Sequence, residues 1–67
     1  MRLIINGEET PIPGDEITVA ALIDRLGVGA KACAVEINRE LAPRREHDTR
    51  TLRDGDEVEI VTLVGGG

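Results

Sequence analysis

Phenylalanine, tyrosine and tryptophan are all missing from this chain of 67 residues, so its core must be packed from Leu, Ile, Val and Ala. It has a single cysteine, Cys33, which excludes an internal disulfide and leaves a small hydrophobe on the inward face of a strand. His47 is the one histidine, and with no second histidine and no cysteine nearby it offers neither a metal site nor a catalytic base. The N-terminus has no apolar run resembling a signal peptide, and no stretch is long enough to span a bilayer. Positive charge is in deficit: 8 Lys and Arg face 13 Asp and Glu, a net charge of -5. That balance disfavours nucleic acid and anionic membranes, whose phosphates it repels, and makes a basic protein surface the natural complement. We expect a cytoplasmic protein, monomeric when free.

What is present fits one small domain, near the size at which a single core is only just sufficient. Met1, Leu3 and Ile5 alternate with polar or outward positions, and Asn6-Gly7 signals a hairpin. Glu8 to Pro13 reads as a weaker strand, whose prolines suit an edge because they cannot donate ladder hydrogen bonds. Gly14 ends it. Val19, Leu22, Ile23 and Leu26 then stand at i, i+3, i+4 and i+7, the spacing of one helical face. Thr18 is the expected N-cap, Asp15 and Glu16 lie near the positive end of the helix dipole, and Gly27 is the expected left-handed C-cap, with Val28 supplying its hydrophobic contact. Alternation resumes at Cys33, Val35 and Ile37. Pro43 to Asp48 reads as a loop or single turn, Thr49, Thr51 and Leu52 as a short strand, Asp54-Gly55-Asp56 as a turn, and Val58 and Ile60 as the inward positions of a last strand.

The β-branched run from Val58 to Val64 passes directly into Gly65-Gly66-Gly67. Three residues without a Cβ make poor packing and a good probe: they can lie extended in a channel too narrow for side chains and present an unhindered carboxylate. We therefore divide the chain into a domain over 1–64 and a glycine tail over 65–67. A helix between a leading hairpin and trailing strands packs most simply as an α+β, ubiquitin-like β-grasp: a mixed sheet of about five strands crossed by one helix, the last strand parallel to the first at the centre.

Ala34-Val35-Glu36-Ile37-Asn38, Ala42-Pro43-Arg44, the run from Asp54 to Val61 and Val64-Gly65-Gly66-Gly67 follow one another at a familiar spacing. In these residues the chain resembles the ThiS family, the sulfur carriers of thiamine biosynthesis; it departs at His47, where such sequences often carry an aromatic. The resemblance implies that an E1-like adenylating enzyme of the ThiF type activates the Gly67 carboxylate with ATP. A sulfur donor such as a cysteine desulfurase then converts it to a thiocarboxylate, which delivers sulfur to a thiazole synthase of the ThiG type. The chain has no phosphate-cradling G-x-x-x-x-G-K-[ST] loop, so ATP is used through the partner, no cofactor is bound, and the chain is a protein co-substrate rather than a catalyst.

The tail residues Gly65, Gly66 and Gly67 are thus the candidate site, with Gly67 the modified one. Ile4, Val61 and Leu63 are one residue out of phase with the core set, which puts them on the far face of the sheet as a docking patch. Glu59, with Glu36 and Glu57, adds acidic groups able to guide docking onto a basic surface. Asp54 and Asp56 flank a glycine and read as turn residues, and Arg44 matches the family's Pro-Arg pair. Two alternatives stay open. One is another β-grasp carrier, such as the small subunit of molybdopterin synthase or a ubiquitin-like modifier, which tend to be longer and to carry aromatics. The other is a passive binding module whose tail does nothing, a reading that turns on whether the natural gene stops at Gly67.

Overall fold

In β1 (Arg2–Ile5) Leu3 and Ile5 are buried while Arg2 is exposed and Ile4 half-buried, the alternation of a strand with one covered face. The computed structural model describes residues 1–28 and 32–62, the side chains at 32 and 33 excepted. Asn6 and Gly7 both adopt positive φ, 50° and 82°. Two such residues form the type I′ turn whose twist matches a hairpin, and the chain returns antiparallel as β2 (Glu8–Pro11). β2 is an edge strand, where Pro11 is tolerated. Ile12, between two prolines, still joins the ladder: its N–H donates to the Met1 carbonyl at 2.8 Å, and its carbonyl accepts from the N-terminal ammonium at 2.8 Å.

A short strand not foreseen from the sequence, β3 (Glu16–Thr18), pairs antiparallel with β6 (Thr51–Arg53). Glu16 therefore serves in a strand, beside Arg53 at 3.7 Å. The first turn of the helix carries no acidic residue; Asp15 and Glu16 precede the Thr18 cap, Glu16 as the first residue of β3. The helix α1 (Val19–Leu26) is capped as expected: Thr18 Oγ1 accepts from the Ala21 N–H at 3.1 Å, and Gly27 sits at φ 74° with its N–H donating to Asp24. The two remaining free donors of that turn go to carbonyls of the long loop, Val19 to Arg50 at 3.0 Å and Ala20 to His47 at 2.9 Å.

β4 (Ala32–Ile37) leads through Asn38 and Arg39, both at positive φ, into β5 (Glu40–Leu41), a second strand absent from the sequence reading. A single 3-10 turn over Arg44–Glu46 follows, in keeping with the loop or single turn expected there. β7 (Glu57–Thr62) closes the sheet in the order β2-β1-β7-β4-β5, parallel to β1 and antiparallel to β4.

One aliphatic core joins helix and sheet: Leu3, Ile5, Val19, Leu22, Val35, Ile37, Val58 and Ile60 are all buried, as expected. Two helix positions differ. Ile23 is only partly buried and Leu26 is 37% exposed, because an eight-residue helix makes little more than two turns and its i+7 position falls at the end of the element. In their place Ile12, Ala42 and Leu52 fill the core at 4%, 2% and 0% exposure.

Candidate functional site

The tail leaves from β7, so the site begins with what holds that strand. β1 stops being a strand at Asn6, where the chain turns back, yet the ladder to β7 continues. The Asn6 N–H donates to the Val58 carbonyl at 2.8 Å, and its side-chain carboxamide then takes both backbone groups of Ile60: Oδ1 accepts from the Ile60 N–H at 2.7 Å, and Nδ2 donates to the Ile60 carbonyl at 3.3 Å. Asn38, in the equivalent turn position of the second hairpin, does the same for the start of β7. Its N–H donates to the Glu57 carbonyl at 2.8 Å, its Oδ1 accepts from the Glu57 N–H at 3.0 Å, and its Nδ2 donates to Asp56 at 3.1 Å. Asn6 looks like a turn residue in the sequence and Asn38 like the end of an alternating strand; only the fold reveals that each grips the central strand.

The turn that feeds β7 is equally tied down. Asp54 Oδ1 accepts from the Arg2 N–H at 2.7 Å, Asp56 Oδ2 accepts from the Arg53 N–H at 2.9 Å, and the Gly55 N–H donates to the Arg2 carbonyl at 2.8 Å. The two aspartates are structural turn residues, as their spacing suggested. His47 Nε2 lies 2.9 Å from the Ala42 carbonyl; facing an acceptor, that nitrogen must carry the proton. The imidazole thus pins the 3-10 turn to the segment after β5.

Alternation along β7 puts Val58 and Ile60 in the core and Glu57, Glu59 and Val61 outside, Val61 at 57% exposure. Ile4, half-buried, shares that outer face and is the register partner of Glu57. Val61 therefore stands four residues further along β7, about 13 Å at strand rise, with Glu59 between them. On the other side, Val61 is opposite the small Ala34 and Glu59 is directly opposite Glu36, which in turn pairs with Leu41. Leu41, 64% exposed, adds an aliphatic to this face that sequence reasoning did not single out, because β5 has only two residues. Among the described residues no ion pair neutralises Glu36, Glu57 or Glu59. Two carboxylates directly across a ladder repel, so the outer face combines exposed aliphatics with concentrated negative charge, a surface chemically matched to an apolar patch rimmed by cations. Leu63 and the tail residues Gly65, Gly66 and Gly67 lie outside the described residues, as does the Cys33 side chain.

A mixed five-stranded sheet with first and last strands parallel at its centre, crossed by one helix and leading into a glycine run, defines a ubiquitin-like β-grasp domain. The crystal structure of a thiamine biosynthesis protein (ThiS) from Geobacter metallireducens matches this fold with a TM-score of 0.85 and 36% identity, covering 100% of both chains. The family model for ThiS matches residues 3–67, and the chain belongs to the ThiS family. It is 41% identical over 63 residues to the sulfur carrier protein ThiS of Thermus thermophilus, covering 94% of this chain and 95% of that one. It is also 43% identical over 67 residues to a thiazole synthase of Paramagnetospirillum magneticum, of whose length it spans 20%. No helix among the described residues is long and apolar enough to cross a membrane.

Proposed function

We propose that this chain is a sulfur carrier of thiamine biosynthesis, working as a protein co-substrate whose Gly67 carboxylate is the reacting group. The observation that carries this reading is the family match, which runs through the glycine tail to residue 67 on a domain whose central strand is the element that precedes that tail in the chain. A carboxylate is a poor electrophile. Attack of its oxygen on the α-phosphorus of ATP releases pyrophosphate and gives an acyl-adenylate with AMP as a good leaving group. The terminal sulfur of a persulfide on a donor such as a cysteine desulfurase then adds to the carbonyl and expels AMP, and a thiol that attacks the donor-side sulfur of the resulting acyl disulfide becomes a disulfide with the donor and releases the thiocarboxylate. Glycine leaves that carbonyl open on both faces, and its lack of a side chain lets the tail enter a narrow channel.

ATP is handled by an E1-like enzyme of the ThiF type. The thiazole synthase relatives of which a segment resembles this whole chain support a ThiG-type enzyme as sulfur acceptor. The outer face around Val61, Glu59 and Ile4, extended by Leu41, is the surface we assign to docking. The test is ATP–pyrophosphate exchange by the adenylating enzyme as a function of this chain's concentration: saturable, chain-dependent exchange is expected, and none would overturn the reading.

A further inference from the structure

Asn6 is a turn residue by its backbone and a strand residue by its side chain. In a continued parallel ladder, the Ile60 N–H would go to the Asn6 carbonyl and the Ile60 carbonyl to an N–H two residues later. Because the chain reverses at Gly7, neither is delivered by β1, and the carboxamide supplies acceptor and donor together at 2.7 and 3.3 Å. Aspartate keeps the acceptor but lacks the donor. Asn6 also tolerates its φ of 50°, as few residues do.

Among the described residues this is the last hold on β7 from the β1 side. Past Ile60 the strand is paired only with β4, and that register itself shifts between Ala32 and Ala34. From Ile60 to Gly67 is seven residues, a reach of at most about 23 Å counted from the point that Asn6 holds, and a misplacement of about 1 Å at a reacting group costs on the order of 10²-fold in rate.

We infer that Asn6 is a positioning residue for sulfur activation: its carboxamide fixes the direction in which β7 launches the tail, and so places the Gly67 carboxylate in the partner's active site. The inference rests on the carrier reading above. Asn38 provides the matched control, because it makes the same kind of clamp at the opposite end of the same strand, on Glu57, away from the exit.

The experiment compares Asn6→Gly with Asn38→Gly. Glycine keeps the positive φ of each turn and deletes each carboxamide. Stability is measured by denaturation, amide hydrogen exchange is followed at Ile60 and Thr62, and kcat and KM for the chain are obtained in ATP–pyrophosphate exchange with the adenylating enzyme. Asn6→Gly is expected to speed exchange at Ile60 and Thr62 and to lower kcat by about tenfold or more, leaving KM within about twofold. Asn38→Gly, with a similar loss of stability, is expected to leave kcat within about twofold of the parent. If Asn6→Gly melts below the assay temperature, Asn6→Asp, which keeps the turn and the acceptor, is expected to lower kcat in the same direction. Equal kcat for the Asn6 and Asn38 variants, with the parent active, would overturn this inference alone; a parent that supports no exchange would remove the carrier reading and this inference with it.

Discussion

Replacing Glu59 by lysine should make the free protein more stable and the proposed carrier worse. Glu59 and Glu36 are register partners on the exposed face, where the Cβ atoms of directly opposed residues lie about 4.5–5.5 Å apart. Glu59→Lys turns a repulsion into an attraction and also relieves Glu57, two residues along the same face. The swing is about 0.5–1.5 kcal/mol at low salt, kept small by solvent on both carboxylates. In a chain this short each kcal/mol moves the melting temperature by about 4–8 °C, so a rise of several degrees is expected. It should largely vanish near 1 M salt, where the screening length falls to about 3 Å. The same change takes the net charge from -5 to -3, two units, since one negative charge is exchanged for one positive. If the face docks on a cationic surface, the association rate with the adenylating enzyme should fall by about tenfold at low salt and converge with the parent at high salt. Thermal melts and stopped-flow binding at two ionic strengths read both halves. A melting temperature that fails to rise at low salt would refute the like-charge juxtaposition, and an unchanged association rate would refute docking through this face.

Two further outcomes follow from burial and from the tail. Leu22, fully buried between helix and sheet, should cost about 2–5 kcal/mol on truncation to alanine, whereas Leu26→Ala, at a position 37% exposed, should cost less than half as much; equal costs in urea denaturation would contradict the helix orientation. Gly66→Ala should leave stability within about 0.5 kcal/mol and slow adenylation by about 10²-fold if the tail enters a narrow channel; parent-like pyrophosphate exchange would contradict the channel.

The elements legible in the sequence are those with strong local signals. The Asn6-Gly7 hairpin, the helix with its Thr18 and Gly27 caps, the aspartate turn and the alternation of β4 and β7 each rest on a turn type or a period that a few adjacent residues specify. β3 and β5 escaped because three and two residues are too few to show a period; they exist by virtue of partners, β3 through β6 and β5 through β4. Ile12 and Ala42 sit beside prolines, whose usual meaning is an exposed edge or loop, and the fold buries them while their N–H groups pair across the two hairpins, with Met1 and Val35. Leu26 shows the reverse: its spacing fits the apolar face, but the helix ends before that face can be covered. At the candidate site, the outward phase of Ile4, Glu59 and Val61 was readable from the period of two. The Glu36–Glu59 opposition, the addition of Leu41 and the grip of Asn6 and Asn38 on β7 were not, because each depends on which strands become neighbours.

The measurement that bears most directly on the carrier reading is the intact mass of the protein after incubation with the adenylating enzyme, ATP and a sulfur donor. The account predicts a mass gain equal to the exchange of one oxygen for one sulfur, located by fragmentation at Gly67, dependent on ATP and absent when Gly67 is deleted. An unchanged mass with a demonstrably active enzyme, or sulfur found on Cys33 and not on the C-terminal carboxyl, would contradict it.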